Sequence, residues 1–533
     1  MPNRVQWPGL RGIAVWGLVA GLLALAPAAR AAAKPAPARP GAPAPVRTGL
    51  EAIEKQVKEF TLANGFKMIV LERHDAPIFS FVTMVNAGSA NENTGTTGLA
   101  HMMEHMAFKG TPTVGTSDYS KEKPLMDAVE SAWQGVLAER RKGYRADSTR
   151  MAAAQAAFKD AQEASFKYVV SNEFSKILER NGVQGMNAYT ADDVTAYHYS
   201  LPSNRLELWA MLEGDRMANP TFREFYKERD VVYEERRMRT ESSPIGRLID
   251  EFIHAAFVAH PYGFGGIGHP SDLKTFSAAQ GADFYKKYYV AKNMACAIVG
   301  DVKFEDVQKY AQQNYSVLSD APVPPGPDTQ EPPQSAERRV ILEDPAQPIV
   351  VIGWHIPAVT DPSFTAYEAL GSLLGGGSYS RLNKVLVKEK KIAVQAQAFP
   401  GFPGNKYPSL FGILVVPAAG QDPLAVEKAV YDVIDEVMTS KPFTQEELDG
   451  YKVRTRAQMV GSAESREDLA SELAQAQTLF GDWREFFRQA ERVQGLTVQD
   501  LTDAMKRTMV KSNRTVGLIV NAKTETASGG GQK

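Results

Sequence analysis

The sequence predicts an α+β protein of two domains related by duplication, and three observations predict it. A proline-rich stretch from Ser319 to Ser335, SDAPVPPGPDTQEPPQS, can continue neither a helix nor a central strand, and it divides the chain into two comparable parts. Each part opens and closes on strand-like apolar runs: FKMIVLE, IFSFVTMVNAGS and NMACAIVGDV before the break, RRVILE, PIVVIGWHIPAV and NRTVGLIVNA after it. Helical patterns such as SFTAYEALGSLLGG and PLAVEKAVYDVIDEVMTS lie between these runs.

In chain order, residues 1–31 read as a secretory signal peptide. Arg4 and Arg11 precede an apolar run from Gly12 to Ala26, and Ala29 and Ala31 are spaced for cleavage after Ala31. The run is shorter than a membrane-spanning anchor, the competing reading, requires. Residues 32–49, rich in proline and alanine, are expected to form an extended linker. Residues 50–318 make the first domain. Within it, about 118–171 departs from the strand-and-helix grammar: it is rich in alanine and charge around a turn-like KGYRADST, which predicts an inserted helical hairpin, either a solvated spacer or a lid or docking arm beside a site. Residues 319–335 form a second linker, 336–522 the second domain, and 523–533 a flexible tail.

The composition narrows the function. Of 533 residues 44% are hydrophobic, enough for two full cores. A net charge of −2 and a pI near 6.5 provide no basic excess for neutralising phosphates, which argues against nucleic acid as a partner. The single cysteine, Cys296, excludes an internal disulfide and any multi-cysteine metal site, and its apolar neighbours predict an inert, buried strand residue. No cysteine follows the signal segment to carry a lipid, and no later apolar run reaches membrane-spanning length, so no stable membrane span is expected after signal cleavage.

The stretch GLAHMMEHMAFKGT, residues 98–111, places two of the chain's eight histidines four apart with a carboxylate between them. On a helix, His101 and His105 lie one turn apart on one face and can converge on a cation. Chance supplies this pattern on the order of 0.01 times per chain of this composition. A hydrolytic zinc site takes three protein ligands, and two histidines with a carboxylate is a recurring set. Glu104 then has a separate task, taking a proton from water and delivering it to the leaving amine. A pair alone under-coordinates zinc, so a third ligand is expected on another helix.

The segment Phe222–Arg239, FREFYKERDVVYEERRMR, offers one. At helical spacing Phe225, Glu228, Val231, Val232, Glu235 and Met238 share a stripe, and Lys227, Asp230, Glu234 and Arg237 form a charged one. Two carboxylates on an otherwise apolar stripe are costly to bury without a cation or a hydrogen-bonded partner. Glu228 and Glu235 are therefore candidates for a ligand and a supporting group, and periodicity leaves open which is which.

These residues resemble a family. His101-x-x-Glu104-His105 is the inverted zinc motif of the inverzincins, and NAGSANENTGTTGLAHMMEHMAFKGT is similar to the active-site strand and helix of the insulinase/pitrilysin metallopeptidases, which include the mitochondrial processing peptidase. GMNAYTADDVTAYHY, ERDVVYEERRMR, HPYGFGGIG, NMACAIVGDV and LGSLLGGGSYSRL follow in the expected order, so the resemblance spans most of residues 57–521. It implies two homologous domains, each a mostly antiparallel sheet packed with helices. It also implies Zn2+ held by His101, His105 and Glu235, Glu104 as general base, and Glu228 as the supporting catalytic carboxylate. Asn187 and Ala188 fall where relatives present an edge strand that pairs with an extended peptide substrate.

Two departures stand out. His105 and Glu235 are about fifty residues further apart than the family pattern has them, which the predicted hairpin accounts for. KYPSLFGILVVPAAG carries no arginine where relatives have a substrate-binding one, leaving Tyr379 and Arg381 of the glycine-rich turn as candidate stand-ins, although that turn is expected to be structural. Relatives enclose peptides between two halves, and this chain resembles one half, so the resemblance implies a homodimer or a heterodimer with a second two-domain member. The function expected is a secreted or periplasmic zinc endopeptidase acting on peptides or unfolded segments; the alternative is a non-catalytic assembly or chaperone-like subunit of the same fold. His198, His260, His269 and His355 are expected to be structural, and His74 and His254 carry no signal.

Overall fold

The computed structural model describes residues 47–521. The signal segment 1–31, linker residues 32–46 and the tail 523–533 lie outside the described residues. The expected linker is shortened at its end, because Arg47–Glu54 is a helix and takes residues 47–49.

The first sheet contains β1 (Lys58–Thr61), β2 (Lys67–Glu72), β3 (Ile78–Val85), β4 (Gln184–Thr190), β5 (Thr195–Pro202) and β6 (Met294–Gly300), in the spatial order β1-β2-β6-β3-β5-β4. The second contains β7 (Arg338–Glu343), β8 (Ile349–Ile356), β9 (Ala393–Phe402), β10 (Ser409–Pro417) and β11 (Arg514–Val520), in the order β7-β11-β8-β10-β9. Strand for strand the second order repeats β2-β6-β3-β5-β4. In each sheet one pair, β2 with β6 and β7 with β11, is parallel and the other pairs are antiparallel. The two halves are thus homologous α+β units, each with a mostly antiparallel sheet packed with helices.

Eight helices position the site or join the halves: α1 (Leu99–Met106), α2 (Tyr119–Arg140), α3 (Ser148–Ser165), α4 (Phe225–Arg236), α5 (Pro244–Ala256), α6 (Phe364–Gly375), α7 (Gln445–Glu464) and α8 (Arg466–Phe480). One face of each sheet is covered by helices of its own half: α1 packs with Phe81 and Tyr197 of the first sheet, and α6 with Ile352 and Phe411 of the second. The other face is covered by the opposite half. Ile69, Leu71, Val82 and Met84 of the first sheet meet Met459 of α7 and Leu469 and Leu473 of α8. Val351, Leu410 and Leu414 of the second sheet meet Leu248, Phe252 and Ile253 of α5.

This exchange explains why the central strands β3, β6, β8 and β10 are buried along almost their whole length. Strands buried on both faces read as continuous hydrophobic runs, and β6 and β10 are buried at every residue. Thr195 to Tyr199 of β5 are likewise all buried. His198 is among them, with Nδ1 3.1 Å from Glu467 Oε1 of α8. Between the sheets the chain from Ser319 to Ser335 forms neither helix nor strand. It is fastened nonetheless, since the Glu331 carboxylate accepts from the N–H groups of Val258, Ala259 and His260 at 3.0, 2.9 and 3.1 Å.

The docking of α5 on the second sheet depends on two glycines. A Cβ on Gly353 of β8 would stand 2.9 Å from the Phe252 ring, and one on Gly517 of β11 would stand 3.2 Å from it. Phe252 is fully buried there, so the missing side chains are what admits the ring. Phe252→Ala is expected to destabilise the protein by about 3–5 kcal/mol, and Gly353→Ala by about 1–3 kcal/mol through overpacking. The double variant should lose less than the sum of the two, since the methyl group fills space the ring has left; a double-mutant cycle in urea reads this coupling, and strict additivity would contradict it.

Candidate metal centre

Helix α1 begins at Gly98, whose φ of 96° suits glycine. The Glu92 carboxylate accepts from the backbone N–H groups of Gly98 and Ala100 at 2.7 and 2.6 Å, satisfying donors that the first turn leaves free. Leu99, Ala100, Met102, Met103 and Met106 are buried in the first core, which fixes the rotation of the helix and turns His101, Glu104 and His105 to one side.

The third ligand candidate arrives on α4. Phe225, Tyr226, Arg229, Val232 and Arg236 form its buried face. Val231 and Met238, placed on the apolar stripe by periodicity, are 46% and 67% exposed. The stripe is corrected accordingly: the core holds α4 along a line rotated from the expected one, and Glu228 and Glu235 lie at its border, facing α1. Lys227, Asp230, Glu234 and Arg237 are exposed, as their charge requires.

His101 Nε2 lies 3.8 Å and His105 Nε2 3.6 Å from Glu235 Oε2. One donor atom from each of the three residues can be chosen so that all lie within 4.8 Å of one another. Donors ~2.0–2.1 Å from a tetrahedral zinc ion stand ~3.4 Å apart, so the two contacts to Glu235 are close to what one ion needs. The other atoms of the group are held from outside. Arg239 Nη1 lies 2.8 Å from Glu235 Oε1. Glu228 accepts from Lys109, and its Oε2 is 3.4 Å from His105 Nδ1. Glu104 Oε2 accepts from the Thr190 hydroxyl of β4 at 2.9 Å.

The electrostatics call for positive charge at this point. Burial pulls the His105 pKa down, but Glu228, Glu235 and Glu104 outweigh it and raise it to about 9. His101 is lowered to about 4 by burial and by its neighbour His105. Burial raises Glu235, yet His105, His101 and Arg239 together bring it to about 2, and Glu228 is lowered by His105 and Lys109 against the same burial. Glu104 goes the other way: burial raises its pKa. Two ionised carboxylates thus face imidazoles in a half-buried site. A proton on His105 or a divalent cation answers that need, and the donor set of two imidazoles and one carboxylate fits zinc.

The remaining candidates fall in three places. Asn187 and Ala188 lie in β4, the edge strand of the first sheet, paired on one side with His198 and Tyr197 of β5. Thr190 at the end of that strand reaches Glu104, so the strand runs past the general-base candidate. Arg381 is bound to the Glu447 carboxylate through Nε and Nη2, both at 2.8 Å, and Tyr379 is 92% exposed, with Lys388 over its ring. Thr190, Lys109 and Arg239 were not singled out in the sequence.

Arg223, also missed, sets the distance between the two helices. Its guanidinium donates to both oxygens of buried Glu122 on α2, at 2.6 and 2.9 Å, and to the carbonyls of Lys109, Thr111 and Val114, at 2.7, 3.1 and 3.1 Å. It lies two residues before α4, and three of its acceptors lie just after α1. The inserted α2–α3 hairpin lies against α4, where Trp133, Phe158 and Tyr226 rings pack at 5.0–5.3 Å.

The chain is similar to known peptidases. The family described as "Insulinase (Peptidase family M16)" matches residues 68–128, which include both histidines and Glu104, and "Peptidase M16 inactive domain" matches residues 275–454. The zinc protease PqqE of Helicobacter pylori is 27% identical over 419 residues, 77% of this chain and 81% of that one. A crystal structure of a protease from Helicobacter pylori superposes with a TM-score of 0.72 at 25% identity, covering 87% of this chain and 99% of the other. The first half of the periplasmic protease PqqL from Escherichia coli shares the fold at a TM-score of 0.63 and 19% identity, over 88% of this chain and 92% of that half.

Two substitutions test the arrangement around the ligands. Glu228→Gln is expected to weaken zinc binding by about 10–100-fold, because it loosens the hold on His105, with the stoichiometry unchanged; competition with a chromophoric chelator measures it. Arg223→Gln leaves the Glu122 carboxylate buried without its cation and should cost about 3–5 kcal/mol in stability, seen as a lower midpoint in thermal unfolding.

Proposed function

Because the chain belongs to the insulinase family of peptidases, family M16, we propose that it is a secreted, zinc-dependent endopeptidase that hydrolyses peptides or unfolded polypeptide segments. The observation that carries the proposal is the meeting of His101, His105 and Glu235, with Glu104 beside them held by Thr190. The matched inactive-domain region, residues 275–454, contains none of these residues.

In this proposal His101 and His105 of α1 and Glu235 of α4 hold the ion. Bound there, zinc supplies Lewis acidity, polarising a carbonyl and easing the deprotonation of water. Glu104 takes that proton on a carboxylate oxygen. Burial raises its pKa toward the working pH, which suits a group that must accept a proton and then release it to the leaving amine. The Thr190 hydroxyl orients the carboxylate. Glu228, braced by Lys109, accepts from His105 Nδ1 and keeps the opposite ring nitrogen turned to the ion. The open edge of β4 at Asn187 and Ala188 receives an extended peptide as an added strand, which favours unfolded substrates over folded ones.

The secretory reading of residues 1–31 supports export, and the periplasmic PqqL half supports the periplasm as destination. Its match to a half of a longer protease also supports pairing of this chain with a second two-domain member, identical or not. Glu104→Gln should retain stoichiometric zinc and lose turnover of an unfolded peptide by about 10²–10⁴-fold, and chelation should abolish the wild-type activity until zinc is restored. Protein purified without zinc and unable to bind it would instead favour the non-catalytic subunit.

A further inference from the structure

On the side of α4 turned away from the histidines lies a cleft of about 360 Å3. Arg229, Asp230 and Tyr233 of α4 line it, and by helical spacing they stand about half a turn around from Glu228 and Glu235. Trp133 of α2 and Phe158 of α3 supply the facing walls, so the cleft exists only because of the inserted hairpin.

Arg229 is the unusual member. It is 8% exposed, and its Nη1 is buried with no hydrogen-bond partner among the described residues. The nearest carboxylate oxygen, Asp230 Oδ1, is 3.6 Å from Nη2 and belongs to a side chain that is 74% exposed. The guanidinium carbon lies 4.2 Å from the Trp133 ring centroid and 5.1 Å from that of Tyr226. Aromatic rings thus cover the planar group, while Nη1 has no acceptor among the described residues and Nη2 has only the exposed Asp230 beside it. Burying such donors without an acceptor is unfavourable.

The charge around the cleft has one sign. Arg140 and Lys274 also line it, against the single acid Asp230. Arg140 donates to the Lys274 carbonyl at 3.0 Å, and Lys274 Nζ lies 4.6 Å from the Tyr233 centroid, so neither is neutralised by a carboxylate there. Three cations exclude a cationic ligand. The volume, near the lower end of the roughly 300–1,000 Å3 usual for ligand sites, suits a single ring or a branched chain rather than a nucleotide or a lipid. A planar guanidinium edge matches the two oxygens of a carboxylate.

We propose that this cleft binds a small carboxylic acid with an aromatic or branched aliphatic body, the carboxylate on Arg229 and the apolar end against Trp133 and Phe158. The site is independent of peptide hydrolysis and stands or falls separately from it. The same chemistry is presented by a free acid and by the last residue of a peptide. Isothermal titration of the full chain with 3-phenylpropionate and with glycylglycylphenylalanine, each against its amide, separates these sources. The free acid should bind with a dissociation constant of about 1 mM or tighter, and its amide about tenfold more weakly or worse. Binding of the tripeptide as well would assign peptide termini to the site, and its failure would assign free acids alone. Arg229→Gln should reduce acid binding by about tenfold or more. The double variant R140Q/K274Q, altered only at exposed positions, should retain the wild-type melting temperature and also bind more weakly. Absence of binding by both acids, equal binding of acid and amide, or unchanged affinity in R140Q/K274Q would overturn the proposal.

Discussion

The structure around the candidate metal centre depends on one buried guanidinium. Helices α1 and α4 must be held so that side chains from each meet within a few ångströms, yet more than a hundred residues separate them in sequence, an inserted hairpin included. Arg223 spends its N–H donors across that gap, on Glu122 of the hairpin and on three carbonyls of the segment leaving α1. A charged group so deeply placed is stable only if every donor is satisfied and its charge is matched, and here both conditions are met. The geometry is therefore rigid where the ligands need it to be. The insertion adds no slack because its two ends are tied together before the hairpin departs: Ser117 N–H donates to the Tyr168 carbonyl at 2.8 Å, and Val170 N–H to the Gly115 carbonyl at 2.9 Å. A long insertion on a closed neck leaves the elements on either side of it in place.

The same economy of placement joins the halves. Each sheet would expose one apolar face if it had only its own helices, and each obtains cover from the other half, α7 and α8 for the first sheet and α5 for the second. α5 follows α4 after a short π-helical turn, Arg237–Glu241, from which Arg239 reaches Glu235. Docking of α5 on the second sheet thus bears on α4, and among the described residues the second half lends no side chain to the three-residue cluster. On the other side α8 lies over β3 and β6, and its Glu467 reaches His198 of β5, next to the edge strand β4.

Much of this was legible in the sequence, for identifiable reasons. The histidine pair was visible because both residues sit on one helix at fixed spacing, and the hairpin because alanine and charge replace the strand pattern. The duplicated topology showed in the recurrence of apolar runs. Periodicity put Val231 and Met238 on the buried stripe of α4, since it reports which residues could share a face but not which face the core selects. Continuous apolar strands signalled burial on both sides without saying what covers them, so the exchange of helices was not readable. Thr190, Lys109 and Arg223 make their contacts across 86, 119 and 101 residues respectively, to Glu104, Glu228 and Glu122, and no spacing rule reaches so far.

In the proposed centre, where the oxygens of the two carboxylates of α4 are engaged favours Glu235 over Glu228 as the ligand, a choice periodicity leaves open. Glu228 has one oxygen on Lys109 and the other toward His105 Nδ1, the nitrogen turned away from Glu235. A carboxylate so engaged can orient the ring but has no lone pair directed to the point where the two Nε2 atoms converge. Glu235 has Oε1 beside Arg239 and Oε2 beside both Nε2 atoms. Each carboxylate therefore has one outer cation, Lys109 or Arg239, and the charge left over lies on the inner side, where His101 and His105 face Glu235. Replacing either outer cation by a neutral group would leave that inner charge larger, and exchanging the roles of Glu228 and Glu235 would require His105 to turn its ring over and abandon its brace. The division of labour proposed for the two glutamates thus matches which cation each one already holds.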